Sequence, residues 1–101
     1  MQEESKTFDT GIVEIYAHVQ GNVQGVGFRA TVRHYAKLLG LVGTVQNLAD
    51  GSVEIKVQGS SENIEKLFQS LHKEFGSKHI KNIEQQQNST YQTYRDFVII
   101  H

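Results

Sequence analysis

Residues 41–59 read LVGTVQNLADGSVEIKVQG. Val53, Ile55 and Val57 alternate with Glu54, Lys56 and Gln58, the period of two that turns one face of a strand toward a core. Asp50-Gly51 separates this run from a second strand-like run before it, and Asp-Gly in that position is the strongest short hairpin signal. The segment therefore predicts two antiparallel strands, roughly 42–48 and 52–58. That orientation decides the fold, because a strand that turns straight back is not the next parallel strand of a nucleotide-binding βαβαβ half.

Working toward the N-terminus, FRATVRHYAKLLG (28–40) sets Phe28, Val32, Tyr35, Ala36 and Leu39 at helical spacing, with Gly40 as a C-terminal stop. IVEIYAHV (12–19) alternates Val13, Ile15, Ala17 and Val19 with Glu14, Tyr16 and His18 and predicts a strand. Toward the C-terminus, SSENIEKLFQSLHKEFG (60–76) offers Ser60 or Ser61 as N-cap. Ile64, Leu67, Phe68, Leu71 and Phe75 form one apolar face, and Gly76 is the stop. Weaker patterns follow: a strand at 79–87, a turn at 88–90 and a last strand at 94–100. The order is βαββαβ plus a short extra strand. Each helix has a single apolar face, so both are expected on one face of one mostly antiparallel sheet, an α+β ferredoxin-like sandwich. Residues 11–101 make one domain, and the polar, acidic start at 1–10 is expected to be a flexible segment rather than a signal peptide.

Composition narrows the function. The chain has 101 residues, 38% hydrophobic and 21% charged, with ten Lys+Arg against eleven Asp+Glu and a net charge of -1. A nucleic-acid binder ordinarily carries a basic excess, because phosphate contacts dominate its affinity. No nucleic-acid partner and no membrane partner is expected, the latter because no apolar run approaches the ~20 residues of a span. The absence of cysteine closes thiolate chemistry and Cys-ligated zinc, and a reducing cytoplasm is the simpler location. His18, His34, His72, His79 and His101 show no paired-ligand spacing, so no metal is expected.

The chemistry gathers in GNVQGVGFR (21–29). Gly21, Gly25 and Gly27 lie between the first strand and the first helix, where backbone N–H groups lack intrahelical partners and the helix dipole adds positive charge. Arg29 falls in the first helical turn, where its charge opposes that dipole. An anion held by loop and arginine together explains both features; a flexible connector with a stray arginine explains neither. The Walker pattern is absent. Gly25 to Ala30 matches G-x-G-x-x-[GA], with Asp50 downstream, but the antiparallel return at Asp50-Gly51 argues against a dinucleotide site. In the second segment, Asn47 falls at the end of a strand. Its amide can hold a water without a change of charge, or it can simply bond the backbone beside the turn, which is the commoner role of such a residue.

VQGNVQGVGFR (19–29) followed by GTVQNLADGSVEI (43–55) resembles the acylphosphatase family, with both signatures in order and at the family's spacing. The resemblance runs from about Val13 to Ile100. It implies that the loop Gly21, Asn22, Val23, Gln24, Gly25, Val26, Gly27, Phe28 and Arg29 cradles a phosphate, that Arg29 completes the cradle, and that Asn47 orients the attacking water. It implies hydrolysis of a small acyl phosphate to carboxylate and inorganic phosphate with no cofactor; phosphate is expected to inhibit because product and substrate share the cradle, and nothing in the sequence demands more than a monomer. Asn22 and Gln46 stand where the family commonly has a basic residue, and Thr44 where it often has an aromatic one. Two other readings of the same fold are a phosphate- or carbamoyl-phosphate-binding module with little turnover and a ferredoxin-like RNA-binding or regulatory domain.

Overall fold

A computed structural model describes residues 11–88 and 93–101. Its elements are β1 (Ile12–Gly21), α1 (Phe28–Leu38), β2 (Val42–Asn47), β3 (Val53–Ser60), α2 (Ser61–His79), β4 (Ile80–Asn88) and β5 (Phe97–Ile100). The segment 1–10 and most of the expected turn at 88–90 lie outside the described residues, and Asn88 itself ends β4.

The sheet order is β4-β1-β3-β2-β5. β1 pairs antiparallel with β3 and β4, and β3 antiparallel with β2. The short extra strand is β5, an edge strand parallel to β2. The sheet is thus mixed and mostly antiparallel, as expected. Two-residue alternation sets its faces: Ala17 opposes Ile55, which opposes Val45, and all three are fully buried. Phe28, Val32 and Ala36 of α1 and Ile64, Leu67, Phe68 and Leu71 of α2 join them in one core. Both helices therefore cover the same face. Each large apolar side chain so buried stabilises the fold by about 1.5–3 kcal/mol before entropy is counted.

Local signals set the boundaries. The α1 helix closes in a Schellman arrangement, with Gly40 N–H to the Lys37 carbonyl at 3.1 Å and Leu41 N–H to the Ala36 carbonyl at 2.8 Å. Ser60 caps α2, its Oγ accepting from the Asn63 N–H at 3.1 Å. Gly76 breaks the helical geometry as expected (φ 63, ψ -173), but a further turn carries the element on to His79. The β2–β3 hairpin also differs in detail from a two-residue Asp-Gly turn. Leu48 N–H reaches the Ser52 carbonyl at 2.9 Å and Gly51 N–H the Leu48 carbonyl at 3.1 Å, so the loop is the three residues 49–51, the next commonest hairpin class.

Candidate active site

Because β3 lies antiparallel between β1 and β2, and β5 is parallel to β2, three strands end at one edge of the sheet. Gly21, Asn47 and Ile100 are their last residues, and the loop that leaves Gly21 enters α1 at the same edge.

That loop is pinned by side chains and exposed by its backbone. At Gly21 the β1–β4 register shifts, and a Cβ there would stand 2.1 Å from the His79 carbonyl oxygen, so only glycine fits. The next residue, Asn22, offers its carbonyl to His79 Nδ1 at 3.0 Å. Val23 is buried, and Gln24 Nε2 donates to the carbonyls of Leu48 (2.8 Å) and Ser52 (2.9 Å), which clips the loop to the hairpin. Phe28 is buried against Phe75, ring centroids 4.9 Å apart. Between these anchors Gly25, Val26 and Gly27 are exposed.

Gly27 is the N-cap of α1 in the left-handed region (φ 79, ψ 14), and no side chain caps the helix. The first turn carries no acidic residue. Its N–H groups therefore have no intrahelical acceptor, and the dipole leaves that end partly positive. The half-buried Arg29 adds a full charge in the same turn. A cavity of about 270 Å³ opens here, lined by Val23, Gly25, Gly27, Phe28, Arg29 and Ala30 from the loop and helix and by Ile99 and His101 from the end of β5. Among the described residues no side-chain carboxylate lines it. Its shape and charge suit a small anion.

Asn47 ends β2 at this same end of the sheet and is not one of the cavity's lining residues. It opposes Val53, which in turn opposes the fully buried Val19, so its side chain faces the helix side of the sheet. Its Oδ1 is buried and accepts no hydrogen bond among the described residues. An unsatisfied buried acceptor costs about 1–3 kcal/mol, so this atom is poised for a donor. The next residue, Leu48, is the one whose carbonyl holds Gln24, which ties Asn47 to the loop.

The structure thus brings Val23, Gly25, Gly27, Phe28 and Arg29 to one cavity, directs the Gln24 side chain to the hairpin and puts Asn47 at the same end of the sheet without lining the cavity. Sequence reasoning passed over His101, whose Nδ1 lies 3.5 Å from Arg29 Nη1. Only the parallel pairing of β5 with β2 reveals it, and a separation of 72 residues hides that from local patterns. The unusual residues at 44 and 46 belong to the other sheet face. Thr44 is buried there, and Gln46 donates to Glu54 Oε1 at 2.8 Å. Among the described residues no group of three His, Cys, Asp or Glu could hold a metal ion, and no helix is long and apolar enough to cross a membrane.

The acylphosphatase family model matches residues 15–99. An acylphosphatase of Paraburkholderia xenovorans (strain LB400) is 40% identical over 90 residues, covering 88% of this chain and 92% of that protein. The crystal structure of acylphosphatase from Bacillus subtilis superposes with a TM-score of 0.80 at 27% identity, covering 88% of this chain and 99% of the other. The structure of an acylphosphatase from Coxiella burnetii does so at 0.79 and 32% identity, covering 88% and 93%. The match spans both the loop and the hairpin, and the chain belongs to the acylphosphatase family.

Proposed function

We propose that this chain is an acylphosphatase that hydrolyses the carboxyl-phosphate bond of acyl phosphates by direct attack of an oriented water. The phosphoryl group sits in the loop 21–29. Backbone N–H groups at the start of α1 and the planar fork of Arg29 bind its oxygens and stabilise the charge that builds on them. The observation that carries the reading is the buried, unpartnered Oδ1 of Asn47 beside that loop. It accepts a hydrogen bond from the attacking water and turns the water's lone pair toward phosphorus. The new bond joins water oxygen to phosphorus, and the bond to the acyl oxygen breaks. Carboxylate is a good leaving group and needs no strong acid. The water's proton passes to an oxygen of the substrate itself, and the products are carboxylate and phosphate.

Arg29 and the amides supply the positive charge that a divalent ion brings to other phosphoryl-transfer sites, which supports metal independence. The site draws on a single chain, which supports a monomer, and a cysteine-free composition suits the cytoplasm. Incubation with benzoyl phosphate tests the reading. Benzoate should be released over many turnovers, equally with and without excess EDTA, and inorganic phosphate should inhibit competitively. Binding of phosphate without turnover would make the chain a binding module, and loss of activity in EDTA restored by a divalent ion would contradict the mechanism.

A further inference from the structure

His101 has no role in the mechanism above, yet the fold delivers it to the site. In the parallel ladder Gly43 opposes Phe97, Val45 opposes Ile99 and Gln46 opposes Ile100. Phe97 is buried and Ile99 packs on the core, so alternate residues of β5 face the helices. One step further, His101 falls on that same face, level with Asn47. Its ring lines the cavity, and its Nδ1 lies 3.5 Å from Arg29 Nη1. Among the described residues no other titratable or charged side chain lines the cavity with them.

We infer that His101 is a positioning residue for Arg29: neutral, with its proton on Nε2, it accepts a hydrogen bond from the guanidinium at Nδ1 and steers the fork over the phosphate cradle. Two features favour acceptance over a second cationic contact. A guanidinium has donors only, so the ring nitrogen facing it must present a lone pair. A protonated ring would place a second positive charge 3.5 Å from the guanidinium. The long side chain of Arg29 otherwise has many rotamers, and fixing one before substrate arrives lowers the ordering cost of binding. The inference rests on the phosphate-cradle reading.

The test compares His101→Ala, His101→Asn and His101→Lys with the wild-type chain on benzoyl phosphate, together with inhibition by inorganic phosphate. Asn presents a neutral acceptor near the place of Nδ1, and Lys presents a cation and no acceptor. The Ala variant should lose about 5- to 20-fold in kcat/KM and weaken phosphate inhibition in parallel, with an unchanged melting temperature because the contact is exposed. Asn should recover most of that loss, and Lys should recover none. An Ala variant equal to wild type, or a Lys variant that restores activity where Asn does not, overturns the inference. An inactive wild type would instead contradict the proposed function itself.

Discussion

Two regions of this molecule hold clusters of polar side chains, and they differ in how those groups are satisfied. The open face of the sheet has a cavity of about 430 Å³, larger than the one at Arg29, lined by Tyr16, His18, Asp50 and Glu84 among others, with Ser52 and Glu54 bonded to these. The polar groups there bond to one another. Tyr16 OH donates to Glu54 Oε2 at 2.5 Å, and Ser52 Oγ donates to Asp50 Oδ1 at 2.5 Å. His18 Nε2 lies 2.6 Å from Ser52 Oγ, while its Nδ1 is 3.8 Å from Glu84. The strand ends hold fewer ionisable groups, but among the described residues their hydrogen-bonding capacity is unmet: a buried Asn47 Oδ1 without a donor, a helix start without a side-chain cap and an arginine on a cavity lined by no side-chain carboxylate. Titratable density marks the structural cluster; unmet hydrogen-bonding capacity marks the proposed phosphate site.

The largest effect should come from Arg29. Arg29→Ala should lower kcat/KM for benzoyl phosphate at least ~1,000-fold, about 4 kcal/mol, the lower end of what an arginine supplies to phosphoryl transfer. Arg29→Lys should be nearly as poor, because a point charge replaces a fork. A lysine variant with near-wild kcat/KM would reduce Arg29 to a diffuse electrostatic aid and blur the contrast between the regions.

The open face should respond in stability. Burial opposes ionisation of Glu54, but the hydrogen bonds from Tyr16 and Gln46, with Lys56 and His18 nearby, outweigh it and hold the carboxyl below its ordinary value. A depressed folded pKa means that ionised Glu54 stabilises the fold above the unfolded value near ~4.3, and that this contribution disappears as pH falls through the folded pKa. Glu54→Gln should therefore melt lower than wild type at pH 7, and the gap should close toward pH 3. A gap that stays constant with pH would mean that packing, and not charge, is what Glu54 contributes. Smallest of all should be His18→Asn, with kcat/KM within about twofold of wild type and a stability loss of about 1 kcal/mol for one exchanged hydrogen bond. A large loss of activity there would place chemistry on the open face and reverse the comparison.

The frame was legible because it is written locally. The alternation from Val13 to Val19, the Asp50-Gly51 turn, the Ser60 cap and the apolar face of α2 each act within a few residues. The loop and Arg29 were legible for the same reason, since glycines before a helix and a cation in its first turn conflict with local stability and call for a ligand. What escaped is long-range. Gln24 reaches the carbonyls of Leu48 and Ser52 across 24 and 28 residues, Gln46 and Tyr16 meet on Glu54, and His101 meets Arg29 only because β5 lies parallel to β2. No period or spacing within a segment encodes these, because they depend on which strands become neighbours.

The unpartnered Asn47 Oδ1 supports the central claim, and Asn47→Ala tests it most directly. The substitution leaves the loop and Arg29 in place and removes only the group that holds the water, so binding and chemistry should separate. In a variant shown by thermal melting to be folded, kcat for benzoyl phosphate should fall at least ~100-fold, about 2.7 kcal/mol. KM and the inhibition constant of inorganic phosphate should move less than about threefold. A folded Asn47→Ala protein with near-wild kcat, or one that loses phosphate binding in proportion to activity, would contradict the assignment of the water to Asn47.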